Sequence, residues 1–289
     1  MIIKYPNLFP DDPALKLNFE TLNTSDTPNI EFHIDPRKDF VREPNKKYIC
    51  LNLELPNSFA LVEGRNDNVF HYENLYDKIL TICPYTVKIR NKVLGRELYQ
   101  YCYFPSPSSW NRENDKEFDI IYTGSGSEFI IPNGFEKYNY KVINQTQCKY
   151  ITDMNVDFSS KLDLISKSKI TIVHNILNLN RCDLNFDTHN YFEYRSEKLG
   201  FPIQTQHKSR VIEAARCKSL LLCKEDDFNL IEDLFVENED FIYFNDENFN
   251  EKVDHILNNY NDYQFMIENS FNKVETKYSI KNFYNDLIR

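Results

Sequence analysis

The chain is 289 residues long, 41% hydrophobic and 15% aromatic, with a formal net charge of −10. That length suffices for one large domain or two small ones with real cores. The acidity is concentrated in residues 206–289, and no basic face of the kind a general nucleic-acid binder shows is visible. Seven cysteines without a C-x-x-C pair read as free thiols of a reducing compartment. No signal-peptide core or apolar run of membrane-spanning length stands out. A cytoplasmic protein is therefore expected, in the host cytoplasm if the chain is virus-encoded.

The first 45 or so residues are polar and punctuated by proline, with weak strand signals at 2–5 and 30–34. Residues 48–56 and 75–83 predict strands. Residues 84–95 predict a short helix, with Pro84 in its first turn and Gly95 past its end. A third strand is expected at 101–105. The polar stretch 106–117 carries the one tryptophan and marks a boundary between a domain of residues 1–112 and one of residues 113–289. Phe118 opens an apolar strand that runs into the turn Thr123-Gly124-Ser125-Gly126-Ser127. Strands are expected at 137–144 and 149–152, then a helix and a strand across 158–177. Residues 178–206 read as a long loop or a meander of short elements. Residues 207–244 read as helix, strand, helix, strand, with Ser209 as the first N-cap and Leu220–Cys223 as a buried parallel strand. Three helical patterns follow, at 246–259, 261–276 and 279–288, the last with Phe283 and Leu287 on one face. Alternating strands and helices argue an α/β class with parallel sheets.

Several residues carry candidate chemistry. Gly124 and Gly126, lacking side chains, let the backbone approach a phosphate or a sugar; an ordinary turn is the plainer alternative. The third glycine and following helix of a dinucleotide fingerprint are missing, and no P-loop Gly-Lys-Ser/Thr follows. The helix that starts near Ser209 brings its N-terminus to the open end of a parallel sheet, a natural anion site. Arg210 and Glu213 share one face of it. A guanidinium there suits a diphosphate and a carboxylate suits sugar hydroxyls; the alternative is an i, i+3 surface ion pair. Lys208 and His207 are further phosphate contacts. Glu54, at a strand end, is either a general base for an acceptor hydroxyl or a solvated carboxylate. His33, His71, His174 and His189 are lesser candidates, with His174 either in the core or facing the cleft. No D-x-D triplet, zinc spacing or G-x-S-x-G elbow occurs, so no metal is expected.

Arg210-Val211-Ile212-Glu213-Ala214 resembles the R-x-x-E-A helix in the donor-binding half of GT-B glycosyltransferases, in the group 1 or family 4-like variety. The resemblance extends over the element order of residues 117–289, and more loosely over the N-terminal part as a small acceptor domain. It implies two Rossmann-like domains facing a cleft, with the last helix crossing back to the N-terminal one. It further implies that Glu213 binds the ribose of a nucleotide sugar, that Lys208, Ser209 and Arg210 hold the diphosphate, and that the loop Gly124, Ser125, Gly126 and Ser127 lies beside it. The chain departs from the family at Lys218 or Ser219, where a glycine is usual, and at Thr205, where the longer motif has its first glutamate. The implied activity is hexosyl or pentosyl transfer from a UDP- or GDP-sugar to a hydroxyl acceptor such as a glycan. No cofactor or metal is implied, the helix dipole and basic side chains neutralising the leaving diphosphate. Two other readings stay open: a transferase that glycosylates hydroxymethylated DNA bases, which the charge does not support, and a non-catalytic sugar-nucleotide-binding module.

Overall fold

The computed structural model describes residues 2–4, 29–34, 40–52, 72–124, 127–145, 147–178, 194–195, 197–200 and 202–288. Its N-terminal part is a parallel sheet of β1 (Ile2–Lys4), β2 (Ile30–Ile34), β3 (Lys47–Asn52), β4 (Lys78–Thr81) and β5 (Tyr99–Tyr101), lying side by side in chain order. Period-2 alternation splits its side chains between two cores. Tyr48, Cys50, Ile79 and Tyr99 face one way, together with Val87 and Leu94 of α1 (Pro84–Leu94). That helix starts at a proline and ends at Gly95 with φ 62°, as its sequence predicts. Phe32, Ile34, Ile49, Leu51, Leu80 and Ile82 face the other way and are covered by Ile280 and Phe283 of the C-terminal helix.

The second sheet is doubly wound. Its strands β6 (Phe118–Thr123), β7 (Tyr140–Asn144), β8 (Asp153–Met154), β9 (Ser168–Val173), β13 (Leu220–Lys224) and β14 (Phe241–Phe244) are all parallel, in the order β14-β13-β9-β6-β7-β8. The strand order therefore reverses between β6 and β9, and a crevice opens at the carboxyl ends of the strands there. A small antiparallel sheet, β10 (Ile176–Asn178), β12 (Pro202–Thr205) and β11 (Tyr194–Arg195), grows from the end of β9. The helices are α2 (Ser127–Ile130), α3 (Phe158–Ser166), α4 (Ser209–Arg216), α5 (Phe249–Asn258), α6 (Gln264–Thr276) and α7 (Ile280–Ile288). Leu221 and Cys223 of β13 meet Val211, Ala214 and Ala215 of α4 on one face, while Leu220 and Leu222 meet Val253 of α5 and Ile267 of α6 on the other. A strand covered on both faces has no polar side to alternate with, which is why residues 220–223 are uniformly apolar. None of the described helices is long and apolar enough to cross a membrane.

Several expectations need correction. The second helix expected within 225–240 is a four-residue 3-10 turn, Leu230–Asp233. Asp226 accepts from the amides of Phe228 and Asn229, Asp240 from the amide of Val236, and Asn229 is left-handed at φ 51°. Local side-chain bonds thus outcompete the helix ladder. Strand β4 is shorter than 75–83, a 3-10 turn at Tyr72–Leu75 preceding it. Strand β5 starts at Tyr99 rather than 101, where the Asn91 side chain captures the amides of Leu98 and Tyr99. The strand expected at 149–152 is β8, at Asp153–Met154. A short helix, α2, does follow the Gly124 turn. Trp110 is not on a solvated linker: it is fully buried among Leu162, Ile165 and Val211.

Candidate functional site

Helix α4 is placed by its apolar residues. Val211, Ile212, Ala214 and Ala215 are all buried, which pins its N-terminus at the carboxyl ends of β6 and β9. Its cap residue is Lys208, with no side-chain cap hydrogen bond, and Ser209 is the first helical residue rather than the cap. The helix thus opens with donors that no side chain of its own satisfies. The Lys208 amide donates to Asn175 Oδ1 at 3.2 Å.

Gly124 directly follows β6 with φ 107°, a conformation glycine adopts without penalty. A Cβ there would lie 2.4 Å from Arg210 Nη2, so the glycine also makes room for the guanidinium. Arg210 Nη1 donates to Tyr122 Oη at 3.0 Å and to His174 Nε2 at 2.6 Å. A guanidinium only donates, so it meets the lone pair of His174 Nε2, while the Ile176 amide donates to the other ring nitrogen, Nδ1, at 3.4 Å. Burial and the neighbouring Arg210 hold the His174 pKa well below the usual histidine value.

Glu213 lies one turn further along, 2% exposed. Its partner is Lys161 of α3, 2.8 Å from Oε2. Arg210 and Glu213 therefore engage different partners instead of forming the surface pair that their i, i+3 spacing allowed. Both line a cavity of about 480 Å³, together with Gly124, Asn144, Asn155, Phe158, Lys161 and Ser209. That volume is typical of small-molecule sites. Lys161 is the residue that sequence reading missed. Its partner is remote in the chain, and a lysine on a polar helix face carries no local signal.

Of the other candidates, His207 turns away from the cavity toward the first sheet. Its amide donates to the Ile82 carbonyl at 3.2 Å, and its ring stacks on Tyr101 with Nε2 at the Tyr101 hydroxyl. Burial lowers its pKa to about 3, so it is a neutral group and not the cationic phosphate contact expected. His33 is buried between Glu31 and Tyr76 in the first sheet. Ser127 opens α2. Glu54, His71, Ser125, Gly126 and His189 lie outside the described residues. Among the described residues, no group of three His, Cys, Asp or Glu could hold a metal ion.

Residues 137–289 match the family model described as "Glycosyl transferase-like". No curated protein sequence matches the chain. Solved structures share the fold at low identity. HepE from Anabaena in complex with UDP-glucose aligns with TM-score 0.55 and 6% identity, over 90% of this chain and 77% of HepE. A variant of S. aureus TarM in complex with fondaparinux, alpha-GlcNAc-glycerol and UDP aligns with TM-score 0.55 and 9% identity, over 89% of this chain and 54% of TarM. Sucrose-phosphate synthase from Thermosynechococcus elongatus aligns with TM-score 0.53 and 9% identity, over 97% and 77%. The chain thus spans about half the length of TarM.

Proposed function

The chain belongs to the glycosyl transferase-like family and has the GT-B fold, and from that premise we propose that it moves a sugar from a nucleoside diphosphate sugar to a hydroxyl acceptor. The observation that carries this reading is the cavity at the N-terminus of α4, where Arg210 and the buried Glu213 stand together at the sheet's reversal point. Glu213 accepts hydrogen bonds from ribose hydroxyls. Arg210, Lys208 and the uncapped amides of α4 take the diphosphate, which the helix dipole also favours. Gly124 lets the phosphates approach the backbone. As the sugar leaves, these fixed donors stabilise the charge that develops on the diphosphate, without a metal ion. HepE with UDP-glucose and TarM with UDP support a uridine donor. In this reading residues 113–289 bind the donor and residues 1–112 face the acceptor, a glycan.

The test is a thermal-shift series with UDP, GDP and ADP and their sugars, since a ligand that binds only the folded chain raises its melting temperature. A shift with one nucleotide series, lost in Arg210→Ala, is expected. No shift with any nucleotide would overturn the reading.

A further inference from the structure

Lys116, in the polar stretch ahead of β6, directs its ammonium at main-chain oxygens. Nζ donates to the carbonyls of Ser166 at 2.7 Å, Ser168 at 3.1 Å and Lys218 at 2.8 Å. An ammonium has three N–H donors and no acceptor, so each donor has its own carbonyl. Burial lowers the Lys116 pKa to about 8, which leaves the group largely cationic at neutral pH. Ser166 is the last residue of α3, and Lys218 follows Cys217, the C-cap of α4. Carbonyls at a helix C-terminus lack partners within the helix and carry the negative end of its dipole. One cation therefore closes two helices at once.

Those two helices share a wall of the cavity. Lys161 stands on α3 and Glu213 on α4, and each lies five residues ahead of the carbonyl that Lys116 holds, Ser166 for one and Lys218 for the other. The equal count sets the two side chains level, and they meet at 2.8 Å. Elsewhere the two helices meet through apolar side chains: Leu162 and Ile165 share a buried cluster with Val211, Ala214 and Ala215. Apolar burial is non-directional, and small alanine side chains offer little relief to resist sliding along the axis. Three directed bonds to one nitrogen do resist it.

We propose that Lys116 is a positioning residue of the donor site: it fixes the axial offset of α3 against α4 and so holds the Glu213 carboxylate where ribose hydroxyls reach it. Lys116 touches no substrate and acts through Lys161 and Glu213. It works from the amino ends of β6 and β9, where Phe118 pairs with Ser168, while the cavity lies at their carboxyl ends. The inference rests on the nucleotide-sugar reading and adds a remote residue to its machinery.

The experiment measures the calorimetric affinity of the whole chain for UDP, or for GDP if guanosine nucleotides are the ones that stabilise it. Lys116→Met removes all three donors and keeps the apolar stem. Glu213→Gln removes the carboxylate that Lys116 is held to aim. Well below its melting temperature, Lys116→Met is expected to weaken binding about fivefold to tenfold. In the Glu213→Gln background the same substitution is expected to add less than about twofold, because no carboxylate is left to misplace. Lys116→Gln keeps two donors on a stem one atom shorter. Its loss is expected to fall between wild type and Lys116→Met, and it replaces Lys116→Met in the comparison if that variant does not fold. A lower melting temperature with unchanged UDP affinity overturns the proposal, since Lys116 would then only stabilise the fold. Equal losses of affinity in the two backgrounds overturn it as well. Failure of the wild-type chain to bind either diphosphate would sink the nucleotide-sugar reading itself, and this inference with it.

Discussion

Glu213 and Lys161 meet at 2.8 Å with side-chain exposures of 2% and 21%, and this pair carries the first prediction at the scale of single residues. Truncating one partner of a buried pair leaves the other desolvated and alone, at a cost of about 3 kcal/mol. Lys161→Met should lose about that much stability in urea unfolding, and adding Glu213→Gln should recover most of it. No recovery in the double variant would mean that the pair is not the stabilising unit. The second prediction concerns pH. His174 and His207 both have folded pKa values below their unfolded ones, His174 by burial and then Arg210, His207 by burial to about 3. Between the folded and unfolded pKa values the unfolded chain binds more protons, so stability is full above about pH 6.5 and falls as pH drops. Each histidine contributes a slope of about 1.4 kcal/mol per pH unit in that window. Unfolding free energies measured from pH 7 to 5 should show this decline, and His174→Gln should flatten it by half. Arg210 and Glu213 were legible in the sequence because they sit within one turn of a helix. Lys161, Asn175 and Tyr101 were not, because only folding brings them there.

At the scale of elements, the strand-to-turn junction at Gly124 and the start of α4 depend on each other. The Arg210 guanidinium occupies the space that a Cβ at position 124 would need. Gly124→Ala should therefore displace Arg210 from Tyr122 and His174, besides placing alanine at φ 107°, a conformation that costs about 1–3 kcal/mol. Nucleotide affinity should drop about tenfold or more, close to the effect of Arg210→Ala, while Arg210→Ala in the Gly124→Ala background should add little. Full additivity of the two losses would show that the glycine acts separately. Residues 220–223 were readable as a buried strand because their apolar run is continuous, and residues 118–123 because Ile120, Ile121 and Tyr122 form its apolar centre. The helices at 249–258, 264–276 and 280–288 fell within their predicted spans because apolar periodicity is local. The segment after β13 misled because Asp226 and Asp240 bond to nearby amides and Asn229 and Asn238 take left-handed backbone, choices that helical periodicity does not reveal.

At the scale of the whole molecule, the connection between the two sheets is pinned by a residue that looked unremarkable in the sequence. Arg216, at the far end of α4 from the cavity, is 1% exposed. Its Nε donates to Ser106 Oγ at 2.9 Å, Nη2 to the carbonyls of Ser106 and Val274 at 3.0 Å, and Nη1 to Asn111 Oδ1 at 3.0 Å, with Glu275 as ion-pair partner. Ser106 lies on the outgoing connection from the first sheet. Ser279, bridged to it, lies on the return toward α7, which closes the first sheet's open face. One planar fork thus ties both crossings to the helix that carries Arg210 and Glu213. Burial lowers the Arg216 pKa only to about 10, so the group is cationic at neutral pH and has its acceptors in place. Lysine keeps the charge but not the fork. It cannot reach Ser106, Asn111 and Val274 together, so buried carbonyls are left unpaired at about 1–3 kcal/mol each. Arg216→Lys should therefore unfold at clearly lower urea concentration, and Arg216→Met lower still, because Glu275 then also loses its cation. If both crossings depend on this fork, the denaturant transition of Arg216→Lys should split. Tyr101 and its neighbours would then report the first sheet's loss before Trp110 fluorescence reports the second. A single coincident transition at wild-type stability would show that α7 packing alone holds the two sheets together.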